Sequence, residues 1–162
     1  NTCVTWSIGY STRLSLLKSA SENFPLKLYT HKPSEELSNA IFMGPVDYYD
    51  TMPLVFKHSL INLNITLKSI QTGIPLRCMD IMGSGGFLLT NFQSDLLDFF
   101  VPGEDFAFYE SKTDFIDKIR YYLSHEKERT QMIANCTGKM LENHTFVHRV
   151  HRILDVISQS HI

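Results

Sequence analysis

The sequence has little of several features that mark particular classes of protein. Its 162 residues include only three cysteines, Cys3, Cys78 and Cys136. They are too few and too scattered for a disulfide framework or a zinc site, and an odd number is typical of free thiols in a reducing compartment. We therefore expect a cytoplasmic protein.

Long apolar runs and runs of one charge are also missing. No stretch approaches the roughly 18 apolar residues of a membrane helix, and the N-terminus lacks the basic and then apolar layout of a signal peptide. Fifteen basic residues stand against 17 acidic ones, and no track of lysine or arginine suggests a nucleic-acid surface. These absences predict a protein with no membrane span and no nucleic-acid partner.

What is present is enough for one domain. Hydrophobic residues make up 43% of the chain, and a chain of this length can bury roughly two-thirds of its unfolded surface. The chain begins at Asn1, without methionine, and runs directly into strand-like sequence. We expect residues 1–162 to be a single domain taken from a longer protein.

Strand and helix patterns alternate along almost the whole chain. Between residues 31 and 50, Pro33, Gly44 and Pro45 predict a loop-rich crossover with one short helix and a brief strand. The other predicted strands cover residues 2–8, 26–30, 61–65, 87–91 and 105–110, and the other predicted helices cover residues 11–24, 51–60, 75–83, 94–100, 111–125, 126–144 and 145–159. This alternation predicts an α/β layer fold with a mostly parallel sheet.

The strongest candidate site lies in GIPLRCMDIMGSGGFLLTN, residues 73–91. A helix that starts beyond the carboxyl end of a parallel strand points free N–H groups at anions. Gly73 allows close approach of the backbone, the segment 74–77 supplies first-turn amides, and the Arg77 guanidinium can hold a phosphate through two hydrogen bonds. Asp80 shares a helical face with Arg77 and can accept both hydroxyls of a ribose.

Plainer interpretations of the same residues remain open. Arg77 and Asp80 also have the spacing of an ordinary surface ion pair, worth a few tenths of a kcal/mol. The GSGG sequence follows a helix and precedes a strand, so it favours a helix end with tight packing over a dinucleotide fingerprint. A nicotinamide-dependent oxidoreductase is disfavoured because SIGYST, after the first strand, has a single glycine.

Residues 61–105, INLNITLKSIQTGIPLRCMDIMGSGGFLLTNFQSDLLDFFVPGED, resemble the C-terminal half of bacterial glycosyltransferases of the spore-maturation CgeB type. MPLVFKHSLINLN and HTFVHRVHRIL extend the resemblance over nearly the whole chain. These enzymes belong to the glycosyl transferases group 1 superfamily, which transfers sugars from nucleotide donors and has two Rossmann-like domains in the GT-B arrangement. The resemblance implies a Rossmann-like three-layer α/β/α donor-binding domain, with an N-terminal acceptor domain that this chain lacks.

The resemblance also implies roles for particular residues. Asp80 takes the place of the acidic residue that binds the donor ribose, and Arg77 that of a basic residue offsetting phosphate charge. The positions that face the diphosphate and sugar are Gly73, Ile74, Pro75 and Leu76. Many relatives carry two glutamates around this helix, whereas here the later position holds Asp80 and the earlier one Thr72.

Further candidates lie outside this segment. Arg13 stands at the start of the first helix, where related enzymes place a phosphate-facing group, although such an arginine is often a plain surface residue. Asn62 and Asn64 share one face of a strand, where their amides can reach a ligand or bond within the structure. Tyr48, Tyr49 and Tyr109 can stack on a base or simply pack, and the histidines at 144, 148 and 151 lack a fourth partner for a zinc site.

The sequence therefore predicts a glycosyltransferase domain that binds a nucleoside-diphosphate sugar without a metal cofactor. Amides and cations would stabilise the charge on the leaving diphosphate, and the base that activates the acceptor would come from the missing domain. We expect the isolated domain to bind its donor but scarcely to turn over. A non-catalytic module of the same fold, binding a nucleotide or a partner, is the alternative.

Overall fold

A parallel sheet of six strands organises the chain, which the computed structural model describes over residues 2–5, 10–66 and 72–159. The strands run in the order β3-β2-β1-β4-β5-β6, and every pair is parallel. Their bounds are β1 Thr2–Thr5, β2 Leu26–Tyr29, β3 Ile41–Phe42, β4 Ile61–Asn64, β5 Leu88–Asn91 and β6 Ala107–Tyr109. This is the strand order of doubly wound nucleotide-binding folds.

Helices cover both faces of the sheet, which gives the three-layer α/β/α arrangement that the resemblance implied. The described helices are α1 Tyr10–Asn23, α2 Thr51–His58, α3 Leu76–Gly83, α4 Lys112–Ser124, α5 Glu126–Asn143 and α6 Phe146–Gln159. One apolar cluster joins the sheet to α1 and α4, and a second joins it to α2, α3 and α5. Leu88 and Leu89 of β5 belong to different clusters, as expected for a parallel strand buried on both sides.

Several element boundaries differ from those that the sequence predicted. The helix predicted over residues 94–100 is a three-residue 3₁₀ turn, Ser94–Leu96. Pro75 precedes α3 instead of lying in its first turn, and α2 ends at His58, two residues earlier than predicted. The predicted strand residues 6–8 lie outside the described residues, as do residues 67–71, where the sequence TLKSIQT at 66–72 predicts a loop.

The end of α3 has the tight packing predicted for GSGG. Gly85 adopts a φ of +73°, which favours glycine, and the Gly86 amide bonds back to the Ile81 carbonyl over 2.9 Å. A Cβ at Gly86 would lie 2.7 Å from Nδ2 of Asn62 and 2.9 Å from the carbonyl oxygen of Phe56. Only glycine fits where α3 turns back into the sheet.

The last helix, α6, differs from the others because its apolar stripe is not covered. The apolar residues of this stripe are at least half exposed: Phe146, Val150, Ile153, Leu154 and Ile157. Two residues at the start of α6, Phe146 and Arg149, line a cavity together with residues of α3 and α5. None of the helices in the described ranges combines the length and hydropathy needed to cross a membrane.

Candidate functional site

The crevice between β1 and β4 is the natural ligand position of this topology. The order of the strands reverses at this parallel pair, and ligands in open α/β sheets bind beyond the carboxyl ends of the strands at such a point. Arg13, in the first turn of α1, donates from Nε to the carbonyl oxygen of Ile65 over 3.0 Å and also from Nη2. It ties α1 to the residue that follows β4, and its Nη1 has no hydrogen-bond partner among the described residues.

The predicted site residue Asn64 lies in the same region but inside the fold. It is 7% exposed, and its Nδ2 donates to the hydroxyls of Thr66, over 2.9 Å, and Thr90, over 3.0 Å. Asn62, on the same strand face, donates to the carbonyl oxygens of Phe56 and Phe87. The amide groups of both asparagines therefore join neighbouring elements of the structure.

A cavity of about 900 Å³, the strand-end crevice, opens beside these residues. Its polar lining comes from α1, from the ends of β4 and β5 and the residues after them, and from the start of α4: Ser11, Thr12, Ser15, Thr66, Asn91, Gln93, Ser94, Glu110, Ser111 and Lys112. Tyr109 also lines it, and the buried hydroxyl of Tyr109 has no hydrogen-bond partner among the described residues. Burial raises the pKa of Tyr109, so the phenol is neutral and can donate a hydrogen bond.

The turn that leads into α3 exposes a backbone amide. Gly73 has a φ of +90°, which favours glycine. Its N–H donates to Oδ2 of Asp95, and this hydrogen bond is the main cause that lowers the pKa of Asp95. The Gly73 amide thus holds a carboxylate in this structure, which shows that its N–H is directed at a place where an anion can sit.

Arg77 and Asp80 lie side by side, and both side chains are partly buried. Their nearest charged atoms are 4.0 Å apart, and their side chains are 28% and 21% exposed. The Arg77 guanidinium lies 5.4 Å from the centre of the Phe56 ring, and its Nη1 has no hydrogen-bond partner among the described residues. The hydroxyl of Tyr48 donates to Oδ1 of Asp80 over 2.9 Å, and this bond is the main cause that raises the pKa of Tyr48.

A second cavity, of about 730 Å³, runs along α3 and is called the α3 cleft below. It is lined by four of the predicted site residues, Gly73, Ile74, Leu76 and Asp80. Arg77 does not line the cleft but lies next to Asp80, which does. Pro75 lies in the turn before α3. Arg13 and Asn64 are not part of this lining and lie at the strand ends.

Sequence reasoning missed three charged residues of the α3 cleft, Asp95, Asp98 and Arg149. Asp95 follows β5, so its place beyond a strand end was a usable signal. Arg149 belongs to α6, and the sequence carries no signal of where that helix lies. The described residues contain no group of three or more histidine, cysteine, aspartate or glutamate side chains placed to hold a metal ion.

Together, the strand order and the helices on both faces of the sheet define a Rossmann-like domain, with one cavity at the strand ends and another along α3. The profile of the glycosyl transferase-like family matches residues 13–155. The chain therefore belongs to that family. Among curated proteins, no sequence matches it.

Solved structures of glycosyltransferases share this fold at low sequence identity. The C-terminal domain of the group 1 glycosyl transferase LpcC from Francisella tularensis is 13% identical with a TM-score of 0.68, over 90% of this chain and 86% of that one. Anabaena Alr3699/HepE, solved with UDP and glucose, is 9% identical with a TM-score of 0.77, over 98% and 48%. An α,α-trehalose-phosphate synthase (UDP-forming) from Burkholderia vietnamiensis is 10% identical with a TM-score of 0.73, over 98% and 45%.

These matches confirm the predicted fold class, the three-layer domain that forms the C-terminal half of a GT-B glycosyltransferase. The chain spans about half the length of the HepE and trehalose-phosphate synthase chains.

Proposed function

We propose that this domain binds a nucleoside-diphosphate sugar as the donor half of a glycosyltransferase of the CgeB type. The observation that carries the proposal is the grouping at the start of α3. An exposed amide that already holds a carboxylate, an arginine with an unused donor, and a carboxylate with spare acceptor capacity lie on one short segment beside a cleft. Family membership supports it, as does the solved complex of HepE with UDP and glucose.

The diphosphate is assigned to the turn formed by Gly73, Ile74, Pro75 and Leu76, and to Arg77. Backbone N–H groups at a helix start favour an anion, and a guanidinium can hold two phosphate oxygens at once. The Gly73 amide is bonded to Asp95 in this structure. A diphosphate that takes this amide replaces the Asp95 carboxylate, so donor binding and release of Asp95 are coupled.

The ribose is assigned to Asp80. An ionised carboxylate has about four acceptor positions, and the structure uses one of them for the Tyr48 hydroxyl. The remaining positions can accept two ribose hydroxyls. Arg77, 4.0 Å away, keeps the carboxylate in place without a close ion pair that would have to be broken.

Arg13 and Asn64 have a different part in the proposal. Both hold the end of β4, from which the chain leads to α3. Arg13 can also offer its free Nη1 to the donor, because its contact with Ile65 uses the other two nitrogens. Asn64 has both amide hydrogens engaged, so its role is to fix the strand end.

In the proposed reaction, Arg77 and the α3 amides stabilise the negative charge that develops on the leaving diphosphate. A divalent metal ion is not needed for this step, and the base that activates the acceptor belongs to an N-terminal domain of the same cytoplasmic protein. The domain alone is expected to bind donors and to transfer sugar very slowly.

Calorimetric titration with UDP, GDP and UDP-glucose, in buffer with EDTA, tests the proposal. At least one nucleotide should bind, and Arg77→Ala should weaken it about tenfold or more, because a hydrogen bond to a charged group contributes roughly 1.5–3 kcal/mol. Arg120→Ala is the matched control, since Arg120 also pairs with an aspartate three residues away but on an exposed surface. The control should leave affinity unchanged.

Two outcomes would contradict the proposal. Absence of heat with all three ligands would favour the non-catalytic module. Equal affinity of wild type and Arg77→Ala, with native-like melting, would return Arg77 to the role of a surface ion pair.

A further inference from the structure

A turn between β3 and α2 places an aromatic ring directly against the carboxylate of Asp80. The Tyr48 hydroxyl donates to Oδ1 of Asp80 over 2.9 Å, yet 42% of the surface of Tyr48 remains exposed. Its polar end is anchored while much of the residue is open to solvent. An exposed ring held by its hydroxyl is unusual for a residue that only packs, because packing would hide the ring first.

The position of this ring is set by the backbone around it. The carboxylate of Asp47 accepts hydrogen bonds from the amides of Tyr49, over 2.9 Å, and Asp50, over 2.8 Å. The carbonyl oxygen of Asp47 accepts one more from the amide of Met52, over 2.8 Å, which joins the turn to α2. The Tyr49 ring stands edge-on to the Tyr48 ring at 5.2 Å. The ring is therefore positioned before any ligand arrives.

The chemistry of a nucleoside connects this ring to the proposed donor. In a ribonucleoside, the carbon that bears the 2′ hydroxyl is bonded to the carbon that bears the base, and the carbon that bears the 3′ hydroxyl is the next one in the ring. A side chain that holds those hydroxyls therefore has the base within reach of its neighbours. Bases stack on exposed aromatic side chains, and loss of one such contact weakens binding roughly five- to hundredfold.

We propose that Tyr48 is the base-contacting residue of this site: its hydroxyl stays on Asp80 while its ring receives the nucleobase. The inference rests on the proposed function, since it requires a nucleotide whose ribose lies at Asp80. The hydroxyl does not need to leave, because it occupies only one acceptor position of the carboxylate. Stacking does not depend on the hydrogen-bonding groups of the base, so the ring can contact both uracil and guanine. The larger face of guanine gives the larger contact area and the stronger binding.

The test compares two substitutions in the full 162-residue chain, by titration with UDP, GDP and inorganic diphosphate. Tyr48→Leu removes the ring, and we expect it to weaken UDP and GDP at least about fivefold, with the larger loss for GDP, and to leave diphosphate within about twofold. Tyr48→Phe keeps the ring, and we expect it to retain most of the nucleotide affinity. Tyr121→Leu is the control, because Tyr121 is 44% exposed and donates to the Glu128 carboxylate over 2.8 Å on another helix.

Each other outcome overturns the inference. Unchanged nucleotide affinity in Tyr48→Leu would show that the ring contacts no base. Equal losses in Tyr48→Leu and Tyr48→Phe would mean that the hydroxyl matters only by positioning Asp80, and a gain in both would mean that Tyr48 blocks the site. Failure of the wild-type chain to bind UDP or GDP would overturn the proposed function as well, so the two failures are told apart by the wild-type titration.

Discussion

Two groups of polar residues at the carboxyl edge of the sheet look alike in the sequence and differ in the structure. In the strand-end group, Arg13 and Asn64, the side chains donate to the Ile65 carbonyl oxygen and to the hydroxyls of Thr66 and Thr90, and Nη1 of Arg13 has no partner among the described residues. In the α3 group, Asp80 lines the α3 cleft and accepts one side-chain hydrogen bond, from Tyr48, while Nη1 of Arg77 is buried without a partner among the described residues. We expect acceptor capacity left free at a cleft, as on Asp80, to mark a binding residue better than residue type does.

The difference has a physical consequence for substitutions. Removing a partner from a satisfied buried group leaves other buried polar atoms unpaired, which destabilises the fold. Removing a partly exposed group with spare capacity changes little in the empty protein and more in the complex. We therefore expect strand-end variants to lose stability and α3 variants to lose affinity.

Gly86→Ala should have the largest effect, and on stability alone. Its Cβ would lie 2.7 Å from Asn62 Nδ2 and 2.9 Å from a backbone oxygen, so α3 or β4 must shift. Overpacking of this kind destabilises by about 1–3 kcal/mol or more, which urea unfolding will measure. Gly138→Ala, in α5 with no atom within 4 Å of the added carbon, is the control and should not destabilise. Equal stability of Gly86→Ala and wild type would show that the residues around Gly86 can move apart at little cost in free energy.

Asn64→Leu should come next, with a loss of about 1–3 kcal/mol in the free energy of unfolding. The leucine cannot donate to Thr66 and Thr90, which lose their partner inside the strand-end group. UDP affinity of the folded variant should stay within about twofold of wild type. The exposed Asn23, changed to leucine, is the control and should move stability by at most about 0.5 kcal/mol. A clear loss of affinity without a loss of stability would move Asn64 into the α3 group.

Asp95→Asn should strengthen UDP binding by a few-fold. The carboxylate occupies the Gly73 amide, and its negative charge repels a diphosphate that approaches the same place. Asp98→Asn tests charge alone, because Asp98 also lines the α3 cleft but has no hydrogen bond to Gly73 there. We expect a smaller gain for Asp98→Asn in the same titration. Weaker binding in Asp95→Asn would mean that Asp95 helps to hold the donor.

Cys78 gives the smallest effect and reports on the buried face of α3. Burial raises the pKa of Cys78 from its ordinary value near 9 to about 12. Alkylation by iodoacetamide at pH 8 should therefore be slow in the folded chain and fast in urea, as peptide mass spectrometry will show. Because the folded pKa is raised, the stability that this thiol contributes is complete below pH 9 and is lost toward pH 12. Rapid alkylation of folded protein would contradict the packing of α3.

Much of the fold was predictable because its signals are local. The strands of the sheet come from short apolar runs in the sequence. The glycines after α3 mark the end of that helix, where Gly85 has a positive φ. Residues 94–100 were predicted as one helix, but only Ser94–Leu96 forms a 3₁₀ turn. The apolar residues of this segment, Leu96 and Phe100, are buried by tertiary packing without the support of a longer helix. The exposure of α6 was not predictable, since an amphipathic pattern does not say what covers it.

Part of the candidate site was proposed from local signals. Arg77 and Asp80 were chosen for their spacing on one helix, which is a local property, and their binding roles stay a prediction. Asn64 and Asn62 have equally suggestive spacing, and only the partners from β5 and α2 show that their amides bond within the fold. Tyr48 and Asp80 are 32 residues apart in the sequence, so no helix or strand periodicity could indicate that they are in contact.

The most direct test of the account is the affinity of Asp80→Asn for UDP and for its 2′-deoxyribose analogue, measured by calorimetry beside wild type. The amide keeps the shape of the side chain but loses its charge and half of its acceptor capacity. We predict a loss of roughly tenfold or more for UDP, a distinctly smaller loss for the deoxyribose analogue, and a change in stability of at most about 0.5 kcal/mol. Equal losses for the two nucleotides, or none for either, would contradict the assignment of the ribose to Asp80.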